Sequence, residues 1–540
     1  MCPDERNTMN SQLMCGRRGF LAMGATGALG VAGLAGCGSQ RASEAGSAAM
    51  TSLTYGVRTE SLGLDPALAS SDPGTIMSQM YEGLLKFNAD CTDVEPCLAE
   101  DWSVSDDGLT YTFTLRQGVK FHDGTDFNAD AVVRSIERQL EPNRTDDMAY
   151  ASFVFGSEST GTGVASVEKT GDYEVVLHMR AASTPFKMNL AMLFGAPIVS
   201  PTALDEYDNN LNEHPCGTGP YKFISWSKGE NVQMETFEDY WDKEHMPQCS
   251  PIVYRFIPEP SSRVTALSNG EVDIIDGVDP AMIDQVEQNG GVGVIEDASS
   301  LNYMAFNMES DIFSNLEART AFCQAINIDE MVETLYGEYS TVAHSCMPES
   351  MAPYAQDLER PAYDPDAARE TFANLGVTNI TMLTYTNAQD YNVVNGQNLA
   401  ETLQGYLAEV GVDMEIVAYD MATYKNRQQT DYYDVCLAGW LSDNGDPDNF
   451  MNLLATSAGT QNIAHYSNPE YDALIVEGLG TPAGDDRDAV YLQCEEIVAR
   501  DLPWMVISHG VSLGATSAAV DGYNVNPLSF YDAEYITKTA

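Results

Sequence analysis

The length of the chain is the feature that most constrains its fold. The sequence has 540 residues, whereas a single hydrophobic core stops growing at roughly 250–300 residues. We therefore expect several domains, on the order of two to four. Apolar residues make up 44% of the sequence, and this share is enough to bury a large core and excludes a wholly disordered chain.

The charge balance excludes one class of partner. The chain carries 80 Asp and Glu residues against 27 Lys and Arg residues, a formal net charge of -53. Because so acidic a protein repels the phosphate backbone of DNA and RNA, we expect no nucleic-acid partner.

The N-terminal segment has the layout of an export signal. Arg17 and Arg18 precede an apolar run that is shorter than the ~20 residues a transmembrane helix needs. A basic pair followed by a short apolar run is typical of secretory signals. The twin arginine followed by Phe20 and Leu21 resembles the bacterial twin-arginine type.

The end of this apolar run resembles a lipobox, with Leu-Ala-Gly-Cys at residues 34–37. The pattern predicts a twin-arginine-type lipoprotein signal peptide over residues 1–36 and a lipid on Cys37. Residues 37–50 are mostly small and polar, as expected for a flexible tether. The alternatives are an ordinary cleaved signal with an incidental cysteine and an uncleaved anchor.

Eight cysteines lie beyond the lipobox: Cys91, Cys97, Cys216, Cys249, Cys323, Cys346, Cys436 and Cys494. An even number of cysteines outside the cytosol favours disulfides. The pairs Cys91–Cys97, Cys216–Cys249 and Cys323–Cys346 are the candidates, and buried free thiols are the alternative, above all for Cys436. The sequence has no Cys-x-x-Cys pair and no Cys/His cluster, so we expect no zinc or iron–sulfur site.

The hydrophobic pattern predicts a mixture of strands and helices. Strands are expected at 51–57, 109–115, 173–179, 221–226, 232–236, 252–256, 272–275, 414–418 and 435–440. Helices are expected at 73–85, 128–140, 261–269, 321–336, 397–410 and 488–499. Strands and helices alternate in the later half, which predicts an α/β lobe.

Catalytic signatures are missing from the sequence. It contains no Gly-x-Ser-x-Gly elbow, no phosphate-binding Gly-x-x-x-x-Gly-Lys-Ser/Thr loop and no His-Glu-x-x-His. We therefore expect a protein without enzymatic activity and without a cofactor or metal. A secreted enzyme remains a distant alternative.

Several motifs in the body instead resemble those of one family. The strongest run is Leu-Ala-Glu-Asp-Trp-Ser-Val-Ser-Asp-Asp-Gly at 98–108, followed by Gly-Val-Lys-Phe-His-Asp-Gly at 118–124. Shorter matches follow in the same order at 217–221, 239–241, 269–273, 319–327 and 439–450. Together these motifs resemble the family 5 extracytoplasmic solute-binding proteins, which are the peptide- and nickel-binding components of ABC importers.

The resemblance implies an α/β fold of the periplasmic-binding-protein type: a type II, two-lobed clam shell in its large peptide-binding variant. The two lobes would close on the ligand about a hinge. The expected organisation is lobe I at 51–85, 215–295 and 512–540, an inserted subdomain of lobe I at 86–214, and lobe II at 296–511.

The resemblance also implies a ligand site after the strand at 435–440. In peptide-binding relatives the carboxylate just after the tryptophan of this motif pairs with the ligand's α-ammonium, and the matching residue here is Asp443, with Trp440 as a wall of the cleft. Asp443 could instead cap the turn. It could also bind calcium together with Asp446 and Asp448, although the spacing does not fit an EF-hand loop.

One position departs from the family pattern. Dipeptide-binding relatives carry Arg-Pro-Tyr-Asn before a helix of lobe II, and this arginine grips the ligand carboxylate. Here the stretch is Gln389-Asp390-Tyr391-Asn392. Tyr391 matches as a ligand contact, whereas a neutral Gln389 cannot give the bidentate charge pairing of an arginine. Longer peptides or a cationic solute therefore fit better than free dipeptides.

The sequence thus predicts a monomeric, lipid-anchored receptor on the outer face of the cell membrane. It would capture peptides, short oligopeptides in particular, and deliver them to the permease subunits of an ABC importer in the membrane. The first alternative is a binding protein for nickel, a metal chelate or another cationic solute in the same family. A signalling receptor without a permease partner is a further alternative.

Overall fold

The computed structural model describes residues 50–69, 74–459 and 461–539. The predicted signal peptide, the lipidation of Cys37 and all but the last residue of the predicted tether lie outside these ranges. Within them, no helix has both the length and the apolar character that a membrane span requires.

The strands of the described residues, in chain order, are β1 Thr51–Val57, β2 Leu85–Phe87, β3 Val94–Pro96, β4 Ala99–Val104, β5 Thr110–Leu115, β6 Val164–Gly171, β7 Glu174–Met179, β8 Tyr221–Ser227, β9 Asn231–Thr236, β10 Cys249–Phe256, β11 Ile274–Asp276, β12 Gly291–Asp297, β13 Ser300–Phe306, β14 Ser340–Val342, β15 Asn379–Tyr385, β16 Asp413–Tyr419, β17 Val435–Leu441, β18 Trp504–Ser517, β19 Val520–Asp521 and β20 Thr537–Lys538.

The α-helices are α1 Gly74–Met77, α2 Ala129–Glu137, α3 Ala151–Phe155, α4 Phe186–Asn189, α5 Pro201–Glu206, α6 Pro260–Ser268, α7 Ile283–Gln288, α8 Leu316–Ala325, α9 Ile328–Tyr336, α10 Pro365–Leu375, α11 Gly396–Glu409, α12 Met421–Thr430, α13 Asp448–Ala455, α14 Pro469–Gly480 and α15 Asp485–Asp501.

One long strand, β18, connects the two halves of the main sheet. The sheet runs in the order β16-β15-β17-β13-β18-β11-β1-β10-β9-β8, and β12 and β14 also pair with β18. The first half of β18 pairs with β13 and β14. Its second half pairs with β11 and β12. The expected lobe boundary between residues 511 and 512 therefore falls inside a continuous strand.

A second, four-stranded sheet has the order β4-β5-β7-β6 and is antiparallel throughout. Helix α2 covers it because its apolar side chains Val132 and Ile136 are buried on one face. Asn128 starts this helix, and its side chain accepts hydrogen bonds from the backbone N–H groups of Asp130 and Ala131. One hydrophobic core holds both Phe113 of this sheet and residues of the main sheet.

Two predicted helices differ from the structure. The expected helix at 73–85 is only the single turn α1, because the backbone carbonyls of Gln79 and Met80 accept hydrogen bonds from Tyr221 and Gly219 and so cannot continue a helix. The helix expected at 321–336 is two helices, α8 and α9. They are separated by Ile326, which is extended, and by an asparagine N-cap.

The predicted disulfides are wrong. All eight cysteines beyond the lipobox are free and buried. Cys249 donates its thiol to the carbonyl of Ile536 at 3.5 Å, and Cys97 lies 3.9 Å from a carboxylate oxygen of Glu82. Cys323 and Cys346 belong to different hydrophobic cores. The alternative of buried free thiols therefore describes the structure, since these side chains pack as small apolar groups.

Candidate ligand-binding site

The candidate site begins where β17 ends. This strand lies between β15 and β13 in the main sheet, and its first four residues are buried, as expected for an apolar run that is covered on both faces. Residues 439–441 are partly accessible, and the chain then turns through residues 442–445, where Ser442 and Asn444 are buried while Asp443 is partly accessible. Loops at strand ends are the usual position of ligand contacts in α/β lobes.

The carboxylate of Asp443 is held by two neutral donors. The Tyr150 hydroxyl donates to Oδ1 at 3.0 Å, and the Asn449 amide donates to Oδ2 at 3.0 Å. Burial raises the pKa of Asp443 to about 6, and the two hydrogen bonds together with the more distant charge of Lys425 oppose the rise only partly. Within the described ranges no Lys, Arg or His lies within ion-pair distance of Asp443. A cationic ligand group would therefore supply the missing countercharge.

Asn449 forms hydrogen bonds with both Trp440 and Asp443, the two residues predicted from the sequence at the end of β17. Its Oδ1 accepts hydrogen bonds from the indole N–H of Trp440 at 2.8 Å and from the backbone N–H of Asp443 at 3.1 Å. Asn449 is fully buried in α13. Sequence reasoning assigned no role to it, although it lies within the 439–450 motif.

The other two aspartates of the loop do not join Asp443 as cation ligands. Asp446 makes a bidentate ion pair with Arg487 of α15, at 2.7 and 3.0 Å. Asp448 accepts a hydrogen bond from the hydroxyl of Tyr491, and burial raises its pKa to about 7. No group of three or more His, Cys, Asp and Glu side chains suited to a metal ion occurs among the residues that the structure describes.

Tyr391 lies against β17 at Gly439. Its ring covers the backbone of Gly439 so closely that a Cβ there would lie 2.0 Å from a ring carbon. Tyr391 belongs to a tight turn in which Gln389 and Asn392 exchange backbone hydrogen bonds of 3.0 and 2.9 Å. Because successive side chains of a strand point to opposite faces, Tyr391 and Trp440 lie on opposite faces of β17 and pack against different hydrophobic cores.

Gln389 takes a different position from these residues. Its side-chain amide donates to the carbonyl of Ala388 at 2.7 Å, and it makes no hydrogen bond to Trp440 or Asp443. The next residue, Asp390, instead forms an ion pair of 2.7 Å with Arg58 from the loop after β1.

Further contacts join the loop after β17 to residues of the first half of the chain. The side-chain amide of Asn444 donates to Asn189 at 2.7 Å. Gly445 has φ +69°, and a Cβ there would lie 2.1 Å from the carbonyl oxygen of Cys91. With the bond from Tyr150 to Asp443, these contacts hold the candidate site between residues 91–189 and the loop.

Comparisons with known proteins identify the family. Residues 93–462 match the sequence profile of the bacterial extracellular solute-binding proteins, family 5. The chain is 31% identical over 512 residues to heme-binding protein A of Haemophilus influenzae, covering 91% of this chain and 93% of that protein. It is 29% identical over 516 residues to the dipeptide-binding protein of Escherichia coli K12, covering 91% and 96%.

Solved structures agree with this assignment. The dipeptide-binding protein of Pseudoalteromonas sp. SM9913, in complex with Met-Leu, superposes with a TM-score of 0.82 at 27% identity. The superposition covers 91% of this chain and 100% of that one. DppA of Helicobacter pylori, in complex with the peptide STSA, gives a TM-score of 0.80 at 26% identity and covers 90% and 98%.

The chain belongs to family 5 of the bacterial extracellular solute-binding proteins. The family resemblance and the two-lobed α/β fold of the periplasmic-binding type predicted from the sequence are confirmed. Its members are extracytoplasmic substrate-binding proteins rather than enzymes.

Proposed function

We propose that this protein is the substrate-binding component of an ABC importer, and that it captures peptides between its lobes and delivers them to a membrane permease. The observation that carries the proposal is the carboxylate of Asp443, which has two neutral donors and forms no ion pair with the described residues, although the charge of Lys425 acts on it from a distance. The similarity to dipeptide-binding proteins supports the same ligand class.

The α-ammonium of a peptide is the cation that fits this carboxylate. A charge-assisted hydrogen bond to a partly buried group contributes roughly 1.5–3 kcal/mol. Trp440 lies beside this carboxylate because both bind Asn449, and an extended peptide backbone would lie along this tryptophan. Gln389 offers no positive charge, which favours short oligopeptides over free dipeptides.

The proposal also includes a lipid anchor on Cys37 and an interaction with permease subunits in the membrane. The Leu-Ala-Gly-Cys at 34–37 and the arginine pair before it support a lipoprotein held on the outer face of the cell membrane through Cys37. The folded body would act as a monomer on a flexible tether, with the permease subunits as its membrane partners. The lobe division at residues 296 and 512 is part of this proposal.

The test compares Asp443→Asn with the native protein in calorimetric titrations of tri- to pentapeptides. The substitution keeps the shape and removes the charge, so affinity should fall roughly 10- to 150-fold. Asp413→Asn is the matched control because Asp413 is exposed on β16, and it should leave affinity unchanged. Equal affinities of the Asp443 variant and the native protein would reject the proposed site.

Native mass spectrometry of the purified protein tests the ligand class itself. A co-purified mass series that matches peptides would support the proposal. A bound haem, metal chelate or other solute in place of peptides would reject it.

A further inference from the structure

The guanidinium of Arg58, a residue near the start of the folded chain, contacts the turn at residues 389–392. The sequence has no basic residue between Tyr385 and Gln397. Arg58, which follows β1, places its Nη2 2.7 Å from Oδ2 of Asp390. The guanidinium therefore lies next to the position where dipeptide-binding relatives carry their arginine.

The backbone of Arg58 is fixed by its neighbours. Its N–H donates to Oδ1 of Asp276 at 3.0 Å, at the end of β11. Gly277 has φ +55°, and a Cβ there would lie 3.1 Å from Cδ of Arg58, so glycine at this position gives the arginine stem room to pass. These contacts fix the backbone and the first part of the side chain of Arg58, and its guanidinium extends from there to Asp390.

A second arginine at this place has a different role. Arg263 donates to the backbone carbonyls of Ile257 at 2.7 Å and Gly277 at 2.7 Å. Its side chain is 2% exposed, whereas that of Arg58 is 31% exposed. Arg263 therefore stabilises the strand ends, and Arg58 is the arginine that a solute can reach.

The turn that carries Asp390 and the loop that carries Asp443 both lie near the start of β13. Leu441, two residues before Asp443, pairs with Ser300 of β13. The Ser300 hydroxyl accepts a hydrogen bond of 2.9 Å from the N–H of Gly510. A Cβ on Gly510 would lie 2.6 Å from the carbonyl oxygen of Asp390. The turn that meets Arg58 therefore covers the strand edge from which the Asp443 loop departs.

We propose that Arg58 binds the carboxylate of a captured peptide, and that Asp390 takes that place when no ligand carboxylate is present. The inference rests on the proposed peptide-binding function and extends it to a specificity-determining residue. A guanidinium pairs with a carboxylate through two parallel hydrogen bonds. The site would then bind zwitterionic peptides, with the ammonium at Asp443 and the carboxylate at Arg58, although position 389 is neutral.

The experiment titrates a matched pair of ligands, tetra-alanine with a free C-terminus and tetra-alanine amide, into the native protein and into Arg58→Gln. The native protein should bind the acid roughly tenfold more tightly than the amide. In Arg58→Gln this preference should disappear while the affinity for the amide stays nearly unchanged. Arg255→Gln is the matched control because Arg255 is an exposed cation at the end of the neighbouring strand β10.

If Arg58→Gln lowers the melting temperature, its loss of binding could reflect unfolding, and Asp390→Asn then tests the role of Arg58 in a second variant. Removal of the competing carboxylate should tighten binding of the acid severalfold and leave the amide unaffected. Equal affinities of acid and amide for the native protein would overturn the role of Arg58, as would an equal loss for both ligands in Arg58→Gln. Failure of both ligands to bind the native protein would reject the proposed function itself and the inference with it.

Discussion

At the scale of single residues, the raised pKa of Asp443 should make peptide affinity depend on pH. Burial raises its pKa to about 6, so the free protein protonates this group in mildly acidic solution. A ligand ammonium binds the carboxylate form, and binding below this pKa must first remove a proton. The residue therefore couples ligand affinity to pH in a predictable direction.

We expect peptide affinity to be constant between about pH 6.5 and 7.5 and to fall below pH 6, approaching tenfold per pH unit. Above about pH 8 the peptide's own ammonium loses its proton and affinity falls again. Calorimetric titrations from pH 4.5 to 8.5 measure the profile. Asp443→Asn should lose the acidic limb, and a native affinity that stays constant down to pH 5 would contradict the pKa argument.

The residues of the site differ in how well the sequence predicts them. Asp443, Trp440 and Tyr391 are predicted because they lie within motifs of the family. Tyr150 and Arg58 are missed, since their partners are 293 and 332 residues away in the chain. No local spacing records such pairs, and only the folded sheet brings them together.

At the scale of elements, the loop after β17 depends on a buried ion pair with α15. The side chains of Arg487 and Asp446 are 6% and 7% exposed, and Arg487 also donates to the carbonyl of Gly478 at 3.0 Å. The pair thus ties the loop to both α14 and α15. A buried charge that loses its partner is strongly destabilising, because the remaining ion stays desolvated.

Arg487→Met should therefore lower the free energy of unfolding by about 3–5 kcal/mol, measured by urea denaturation. Arg500→Met is the control on the same helix: its side chain is 56% exposed, and the change should stay within about 0.5 kcal/mol. Similar destabilisation by the two variants would show that the buried pair does not hold the loop.

The elements themselves follow the sequence where the pattern is local. The strand at 435–440 is recognised from its apolar run, and the helix at 128–140 from its hydrophobic pattern, to which the structure adds the Asn128 cap. The helix at 73–85 is wrong because the carbonyls of Gln79 and Met80 bind the distant segment 219–221. The predicted disulfide Cys323–Cys346 is wrong for a related reason, since the spacing of the two cysteines does not reveal that they enter different cores.

At the scale of the whole molecule, residues 91–189 and the loop after β17 lie in close contact at Gly445. The carbonyl of Cys91 occupies the space that a side chain would need. Any group larger than hydrogen should keep these two surfaces apart. Because a positive φ is itself unfavourable for alanine, the steric effect must be separated from backbone strain.

We therefore predict that Gly445→Ala weakens peptide binding and abolishes a ligand-induced decrease of the radius of gyration in small-angle X-ray scattering. Gly229→Ala is the matched control: Gly229 has φ +75° and open space around it, so it has the same backbone penalty without the clash. Normal compaction of Gly445→Ala on ligand addition would contradict the prediction.

The continuous strand β18 also limits where the chain can be cut to make fragments or chimeras. Its 14 residues give one half of their backbone hydrogen bonds to each part of the main sheet. A cut there would leave each fragment with half a strand and an open sheet edge, which invites aggregation. Chimeras with relatives should therefore exchange β18 whole, together with both sets of its partners, and neither lobe is a module that can be expressed on its own.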